Sequence, residues 1–501
     1  MFDNIILGIQ VVLQPMNFLI CFLGCLMGTL IGVLPGIGPV GAMSLFLPLT
    51  FKLTPVGAII MFAGIYYGSL YGGSTTSILI NIPGEAASVV TCLDGYQMAL
   101  RGRAGPALGI AAFGSFIAGT LGVMGLMLVA LPLANVALRF GPPEYFSLMC
   151  LGLTLLIYLA SGSVVRALMM ACLGVILGCI GQDPSTGSNR FAFGIHELLD
   201  GIGLAPLVMG LFGISEVFLN LEKKLEERQV FQTRIRGLLP NRRDWAESIL
   251  PILRGTVLGF FLGILPGGGS IISAFASYSI EKKISRHPEK FGSGAIEGVA
   301  GPESANNAGS EGCFVPLLTL GIPPNAVMAL LLGALMIHGV TPGPLLVLKN
   351  PQIFWGVVAS MYVGNVMLLA LNLPLIGLWV QVLRIPYKIL FPLILLFCLI
   401  GAYSINNTLF DVGLMLLFGV VGYLMKKFGY EGAPLVLAFV LGPMLENSLR
   451  QSLLISDGSF TIFFTRPIAL VGVAVALLML VSSIVPAFSR FRESIPKEEN
   501  G

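Results

Sequence analysis

The chain has 501 residues, 55% of them hydrophobic and 11% charged, with a formal net charge of +3 and a mean hydropathy of +0.90. Soluble domains carry roughly 25% charged residues, so a soluble globular protein is excluded and a polytopic membrane protein is indicated. The charge balance gives no sign of a nucleic-acid partner, and no G-x-x-x-x-G-K-[ST] loop is present through which the chain could use ATP directly.

From the start of the chain, MFDNIILGIQ lacks a basic n-region and a clear cleavage site, which argues against a removed signal peptide. Apolar segments of spanning or near-spanning length follow at 15–34, 54–72, 105–132, 143–160, 166–182 and 203–220. A charged stretch, Leu221–Glu247, interrupts them. The second set runs 250–265, 312–335, 352–380, 386–403, 408–425, 432–448 and 467–488. A span needs about 20 residues. The 63 glycines exceed what a simple lipid-embedded bundle needs and allow close helix packing and irregular backbone at depth. The eight cysteines lie mostly in apolar runs with no CxxC, and read as buried thiols rather than a disulfide framework. His196, His287 and His338 are scattered, and no metal site is visible.

One pattern occurs twice. Gly28-Thr-Leu-Ile-Gly32-Val-Leu-Pro-Gly-Ile-Gly38 returns, 231 residues later, as Gly259-Phe-Phe-Leu-Gly263-Ile-Leu-Pro-Gly-Gly-Gly269. A Pro-Gly-x-Gly break in membrane sequence frees backbone N–H and C=O groups that hydrocarbon cannot satisfy, so they must line a protein cavity. Matching breaks in two halves are the best sequence pointer to a transporter's binding site. Short arms follow both motifs, Pro39–Phe51 and Ser270–Ile280; the second, 11 residues, gives about 16 Å of helix.

Charge orients these arms. Arg234, Arg236, Arg242 and Arg243 precede the second copy, and Lys282, Lys283, Arg286 and Lys290 follow it. Basic loops stay cytoplasmic, so segment 250–280 reads as a re-entrant hairpin opening inward; two complete crossings are the competing reading. The first copy has only Lys52 nearby and would open outward. Threading the rest leaves six of the 28 Lys and Arg outside (Lys52, Arg139, Arg190, Lys349, Arg450, Arg466). Each half is then one hairpin, one broken crossing and four crossings, so the halves are inverted repeats. A second block supports the duplication: Gly72 through Asn81-Ile-Pro-Gly-Glu85 aligns with Gly312 through Gly321-Ile-Pro-Pro-Asn325 at an offset of 240. The expected fold is an all-α polytopic membrane protein with two inverted-topology repeats, 1–220 and 250–450. A cytoplasmic linker, 221–249, would join them, and 451–501 would hold an extra helix and a cytoplasmic tail.

Two polar stretches carry the candidate chemistry. Residues 292–311 crowd Glu297, Glu303, Ser304, Asn306, Asn307, Ser310 and Glu311 into sequence too polar for lipid and too rich in Gly and Ala for an ordinary loop. Intramembrane polar and acidic groups normally mark ion or substrate paths; a cytoplasmic loop with solvated carboxylates is the alternative. The other half holds Ser74-Thr75-Thr76-Ser77, which suit Na⁺ coordination and carboxylate hydrogen bonding, or back-bonding to a helix turn. Neither the tips nor these stretches contain Arg or Lys. Charge for an anion must then come from helix N-termini and bound cations. The expected substrate-binding residues are Pro35, Gly36, Gly38, Ser74, Thr75, Thr76, Gly267, Gly268, Gly269, Ser270, Ser304, Asn306 and Asn307. Asn81, Glu85, Glu303 and Asn325 are expected to couple an ion, with Na⁺ at Gly36, Asn81, Gly268 and Asn306.

Taken together, the doubled Leu-Pro-Gly motif, Tyr71-Gly-Gly-Ser-Thr-Thr76, Asn81-Ile-Pro-Gly-Glu85, Gly301-Pro-Glu-Ser-Ala-Asn-Asn-Ala308 and Gly321-Ile-Pro-Pro324 resemble the TctA family over nearly the whole chain, about residues 5 to 490. That family is the large membrane subunit of tripartite tricarboxylate transporters. The resemblance implies a secondary transporter of di- or tricarboxylates such as citrate, driven by Na⁺ or H⁺, with no other cofactor. It also implies a small membrane subunit, a periplasmic solute-binding protein that delivers the substrate, and a bacterial inner membrane. The alternatives are a passive channel or a scaffold subunit of a membrane complex. An intramembrane enzyme lacks a paired Asp motif or Ser/His arrangement at suitable depth.

Overall fold

The computed structural model describes residues 2–34, 37–159, 163–183, 185–222, 237–265, 267, 269–383 and 387–484. Among them, seven helices are long and apolar enough to cross a membrane, and the only strands are the two-residue pair Gly181–Gln182 and Asn189–Arg190. The all-α membrane architecture follows. Five long helices begin with proline: Pro15–Val33, Pro55–Ile80, Pro142–Leu159, Pro351–Asn372 and Pro467–Ile484. Proline fits a first helical turn because its missing N–H is one the helix cannot use.

Two helical hairpins organise the centre. Pro15–Val33 leads to Gly38–Thr50, and Arg242–Ile264 leads to Gly269–Ile284. The longer arm of each lies against a buried helix, Pro55–Ile80 in the first half and Glu297–Leu320 in the second. Glycine makes both contacts possible. A Cβ on Gly24, Gly28 or Gly32 would come within 2.3–2.6 Å of the Met61, Ile65 or Ser69 carbonyl oxygen; one on Gly255, Gly259 or Gly263 would come within 2.1–2.3 Å of Gly301, Ala305 or Gly309. Such ladders of small residues let membrane helices approach backbone to backbone. Each contact in one half recurs in the other at the spacings found in the sequence, 231 for the arm and 240 for its partner helix.

Both partner helices end alike. Asn81 (φ 57°) and Gly321 (φ 72°) close them in the left-handed region, which stops a helix. An Ile-Pro step follows, and then a capping side chain: Glu85 accepts from the Ala87 amide and Asn325 from the Met328 amide. Beyond the breaks, Ala104–Ala137 packs across onto the second half's 242–264 and 297–320 helices, and 351–372 packs across onto 15–33 and 55–80. The remaining long helices, with Leu409–Lys427 and Gly432–Ile455 among them, pair mainly with one another around this centre.

Several expectations shift. Ser74–Ser77 and residues 297–311 lie within single helices of 26 and 24 residues whose side chains are almost all buried, so the second run is not a solvated cytoplasmic loop. Their hydroxyls and amides face other helices, so lipid polarity sets no limit on helix formation there. Glu297 opens its helix half-buried, where a negative charge complements the N-terminal dipole. The apolar run 312–335 divides at Gly321 into 297–320 and Ala326–Ile337. A helix at Phe2–Val12, unanticipated in the sequence, packs through Gly8 against Trp355.

Candidate functional site

The interior polar groups converge from both halves on the 297–320 helix. Ser74 donates to Glu303 Oε2 at 2.6 Å, and the Thr91 hydroxyl donates to Glu303 Oε1. Asn306 Nδ2 donates to Glu85 Oε1 at 3.1 Å, while Asn307 Nδ2 donates to Ser115 Oγ at 2.7 Å. Tyr67 donates to Glu311 Oε2 at 2.9 Å. Every one of these bonds joins a residue before position 120 to one after 300. The buried carboxylates are held by hydroxyls, amides and backbone N–H, with no Lys or Arg bonded to them among the described residues.

Beside this cluster lies a narrow cleft lined by Tyr71, Ser74, Thr75, Ser115, Asn372 and apolar residues of the 104–137 helix. The Tyr71 hydroxyl and Asn372 Oδ1 are buried there without a hydrogen-bond partner, as are Ser304 Oγ and Asn306 Oδ1 nearby on the polar helix. Orphaned polar atoms beside a cleft are unusual in a packed interior; they are ready to meet a polar ligand.

The expected site residues divide. Ser74, Glu303, Asn306, Asn307 and Glu85 are brought together by the bonds above, and Thr75 lines the cleft. Thr76 and Ser77 turn back onto helix carbonyls, Thr76 also reaching Gly32 O at 3.4 Å. Ser270, at the second tip, lies 3.1 Å from the Tyr66 hydroxyl. Gly267 (φ 76°) donates its amide to Pro324 O at 2.7 Å, and Gly269 (φ 48°) sits beside Asn325, so this tip rests on its own half's break. Gly38 takes φ 62° with open space around its Cα. Asn81 is an exposed helix end and does not bond the other described site residues; Asn325 caps its helix and donates to Cys313 Sγ. Pro35, Gly36 and Gly268 lie outside the described residues.

The sequence does not mark Thr91, Ser115, Tyr67 or Asn372 for the site, and Tyr71 stands in the Tyr71–Thr76 motif without an assigned role; only the fold brings these groups together. Nor does the sequence mark Asp94. That buried carboxylate accepts from the amides of Gly292, Gly294 and Ala295 at 2.7–2.9 Å and from Tyr278 Oη at 2.9 Å. It pins the first half's connector to the second hairpin's mouth. Arg254 bonds Glu281 at 2.8 Å across the two arms there, and Arg103 pairs with Asp244.

A family model described as "Tripartite tricarboxylate transporter TctA family" matches residues 18–437. The chain is 51% identical over 498 residues, 99% of each protein, to an Agrobacterium vitis protein described as "Uncharacterized 52.8 kDa protein in TAR-I ttuC' 3'region". It is also 51% identical to the whole of a shorter one, "Uncharacterized protein in TAR-II ttuC' 3'region", which covers 48% of this chain. No solved structure matches. The chain belongs to the TctA family, the large subunit of tripartite tricarboxylate transporters.

Proposed function

We propose that this TctA-family chain imports di- or tricarboxylate-type organic anions by alternating access, coupled to a Na⁺ or H⁺ gradient. A small membrane subunit and a periplasmic solute-binding protein complete the system, and the binding protein hands over the substrate. The observation that carries the reading is the convergence of Ser74 and Thr91 from one half on Glu303 of the other, beside a cleft with unpartnered polar atoms. A substrate carboxylate entering that cleft would accept hydrogen bonds from Tyr71, Thr75 and Ser115, while Ser74 stays on Glu303. Movement of the central assembly would then carry the binding site with it.

Three features support an inverted repeat with re-entrant hairpins. The glycine contacts recur at the duplicated spacings. From the Arg254–Glu281 pair to Ile264 the long arm of the second hairpin rises about 15 Å, half of a roughly 30 Å hydrocarbon core, its first dozen residues lying on the charged side of that pair. The ion pairs also sort into two sets that do not mix. Arg103–Asp244, Lys426–Glu216 and Lys427–Glu222 join residues expected to lie inside, while Arg190–Asp183, Arg450–Asp183 and Arg466–Glu144 join residues expected outside. This arrangement fits a bacterial inner membrane with the C-terminus in the cytoplasm. Sliding of the central assembly against the surrounding helices is the motion we favour.

The test is uptake by the large and small subunits in proteoliposomes, with the binding protein outside, using a panel of labelled carboxylates with and without Na⁺ and pH gradients. Accumulation above the external concentration, dependent on a gradient, is expected. Downhill equilibration alone would make the chain a passive channel, and no uptake of any carboxylate would leave it a scaffold.

A further inference from the structure

Four carboxylates are buried on the central helices or their connector; Asp94 is held by three amides and a hydroxyl, and the other three differ in how well each is held as an anion. Glu85 receives a backbone amide and the Asn306 amide. Glu303 receives two hydroxyls. Glu311, 1% exposed, receives one hydroxyl, from Tyr67. Its methylene groups lie flat on Gly122, where any Cβ would come within 2.8 Å of Glu311 Cγ. A buried anion with a single donor is costly, whereas a neutral carboxyl with one hydrogen bond is not.

Among the described residues, no positive charge reaches Glu311 from the elements packed around it. The 104–137 helix contains no titratable residue past its first position, and Ala326–Ile337 contains none. The 55–80 helix presents Tyr66, Tyr67 and Tyr71, and the 351–372 helix Tyr362. On its own helix the neighbours are Cys313 and, two turns away, Glu303. The 242–264 arm carries Arg254, but Gly255 packs level with Gly301, which puts Arg254 about 15 Å along the helix from Glu311, and it is paired with Glu281. Tyr278, Glu281, Lys282 and Lys283 of the 269–284 arm belong to that same distant mouth, as do Asp94 and Tyr96 of the connector; Cys92 and Glu85 there face Glu303. Lys349 is exposed. Only one oxygen among the described residues, the Tyr67 hydroxyl, is bonded to the Glu311 carboxylate; the Phe314 ring, tilted 43° against Tyr67, and Gly122 fill the space beside it. A Na⁺ ion needs several oxygen ligands, and a proton needs one.

We infer that Glu311, hydrogen-bonded to Tyr67, is a proton-binding site inside the membrane and that loading and unloading this proton is the gradient-coupled step. The inference rests on the transport reading above. A proton entering from the outer side adds to the carboxylate and leaves toward the cytoplasm when the halves move. The Tyr71 hydroxyl, which lines the cleft one helical turn beyond Tyr67, links this site to the substrate's path.

The test is infrared difference spectroscopy of the purified full chain, comparing wild type with Glu311→Gln and Tyr67→Phe. A protonated-carboxyl band is expected in wild type, absent in E311Q and moved to higher wavenumber in Y67F, which keeps the carboxyl and removes its donor. In proteoliposomes, accumulation driven by a pH gradient should fall in E311Q to the level seen without a gradient. An unchanged carboxyl band in E311Q, or Y67F spectra identical to wild type, would overturn the inference, as would full pH-driven accumulation by E311Q. Failure of wild type to take up any carboxylate would instead overturn the transport reading, and the infrared bands would still decide the state of Glu311.

Discussion

The short arms of the two hairpins follow the same motif and are packed very differently. In Gly38–Thr50 seven consecutive residues, Gly41 to Leu47, are buried, because the arm is wedged among the 326–337, 387–406 and 204–222 helices. In Gly269–Ile284 only one stripe is buried, made by Gly269, Ser270, Ser273, Ala274, Ser277 and Glu281, and Ile271 on the far side is 44% exposed. The sequences match these roles: GPVGAMSLFLPLT is largely apolar, whereas the second arm puts three of its four serines, Ser270, Ser273 and Ser277, on the buried stripe. A helix apolar on every side is built to be surrounded, and an amphipathic one to present a face. In the proposed cycle this is one of two states, with the first hairpin sealed and the second free to move.

The comparison can be broken most severely at the glycine ladders. Gly28→Leu and Gly259→Leu each force a side chain into a backbone contact, and folded protein recovered on size-exclusion chromatography should be lost for both. Equal tolerance of leucine at either position would contradict the paired packing. Next in size, Glu303→Gln and Asn306→Ala should abolish uptake while the protein remains in the membrane; wild-type uptake in both would remove them from the site. Asp94→Ala leaves three amides and the Tyr278 hydroxyl without their acceptor, at a cost of about 3 kcal/mol. Hydrogen exchange should rise in residues 269–295 and not in 38–50. The smallest effect concerns Asp183, whose carboxylate is held well below the usual range by the Ser185 amide first, then by Arg450, the Thr186 amide and Arg190. Its contribution is present above the ordinary Asp pKa of about 3.9 and is lost only as pH falls through the depressed folded value. The amide protection factors of the 181–203 loop, which correct for the pH dependence of intrinsic exchange, should therefore be unchanged between pH 7 and 5, and Asp183→Asn should lower them at both.

The doubled motif, the broken segments and the membrane class could be read from the chain because each is local: glycine at i and i+4, Pro-Gly, apolar length. Partnerships were not legible. Glu303 was marked by its run of polar neighbours, but Thr91 lies 212 residues away and Ser115 lies 192 residues from Asn307. Asp94 looks like any loop acid until residues 292–295 turn their amides toward it. For Ser74–Ser77 the sequence allows both ligation and back-bonding to a helix turn; only burial by other helices shows that Thr76 and Ser77 take the second role while Ser74 also reaches Glu303.

Thiol labelling of the two short arms tests the exchange of hairpins most directly. In a background free of the eight native cysteines, Leu45→Cys and Ile271→Cys are reacted with a small maleimide in proteoliposomes, with and without substrate and gradient. The account predicts that residue 271 labels and residue 45 does not in the state described above, and that turnover conditions slow the first while opening the second. Labelling of both sites that stays fixed under every condition would contradict it.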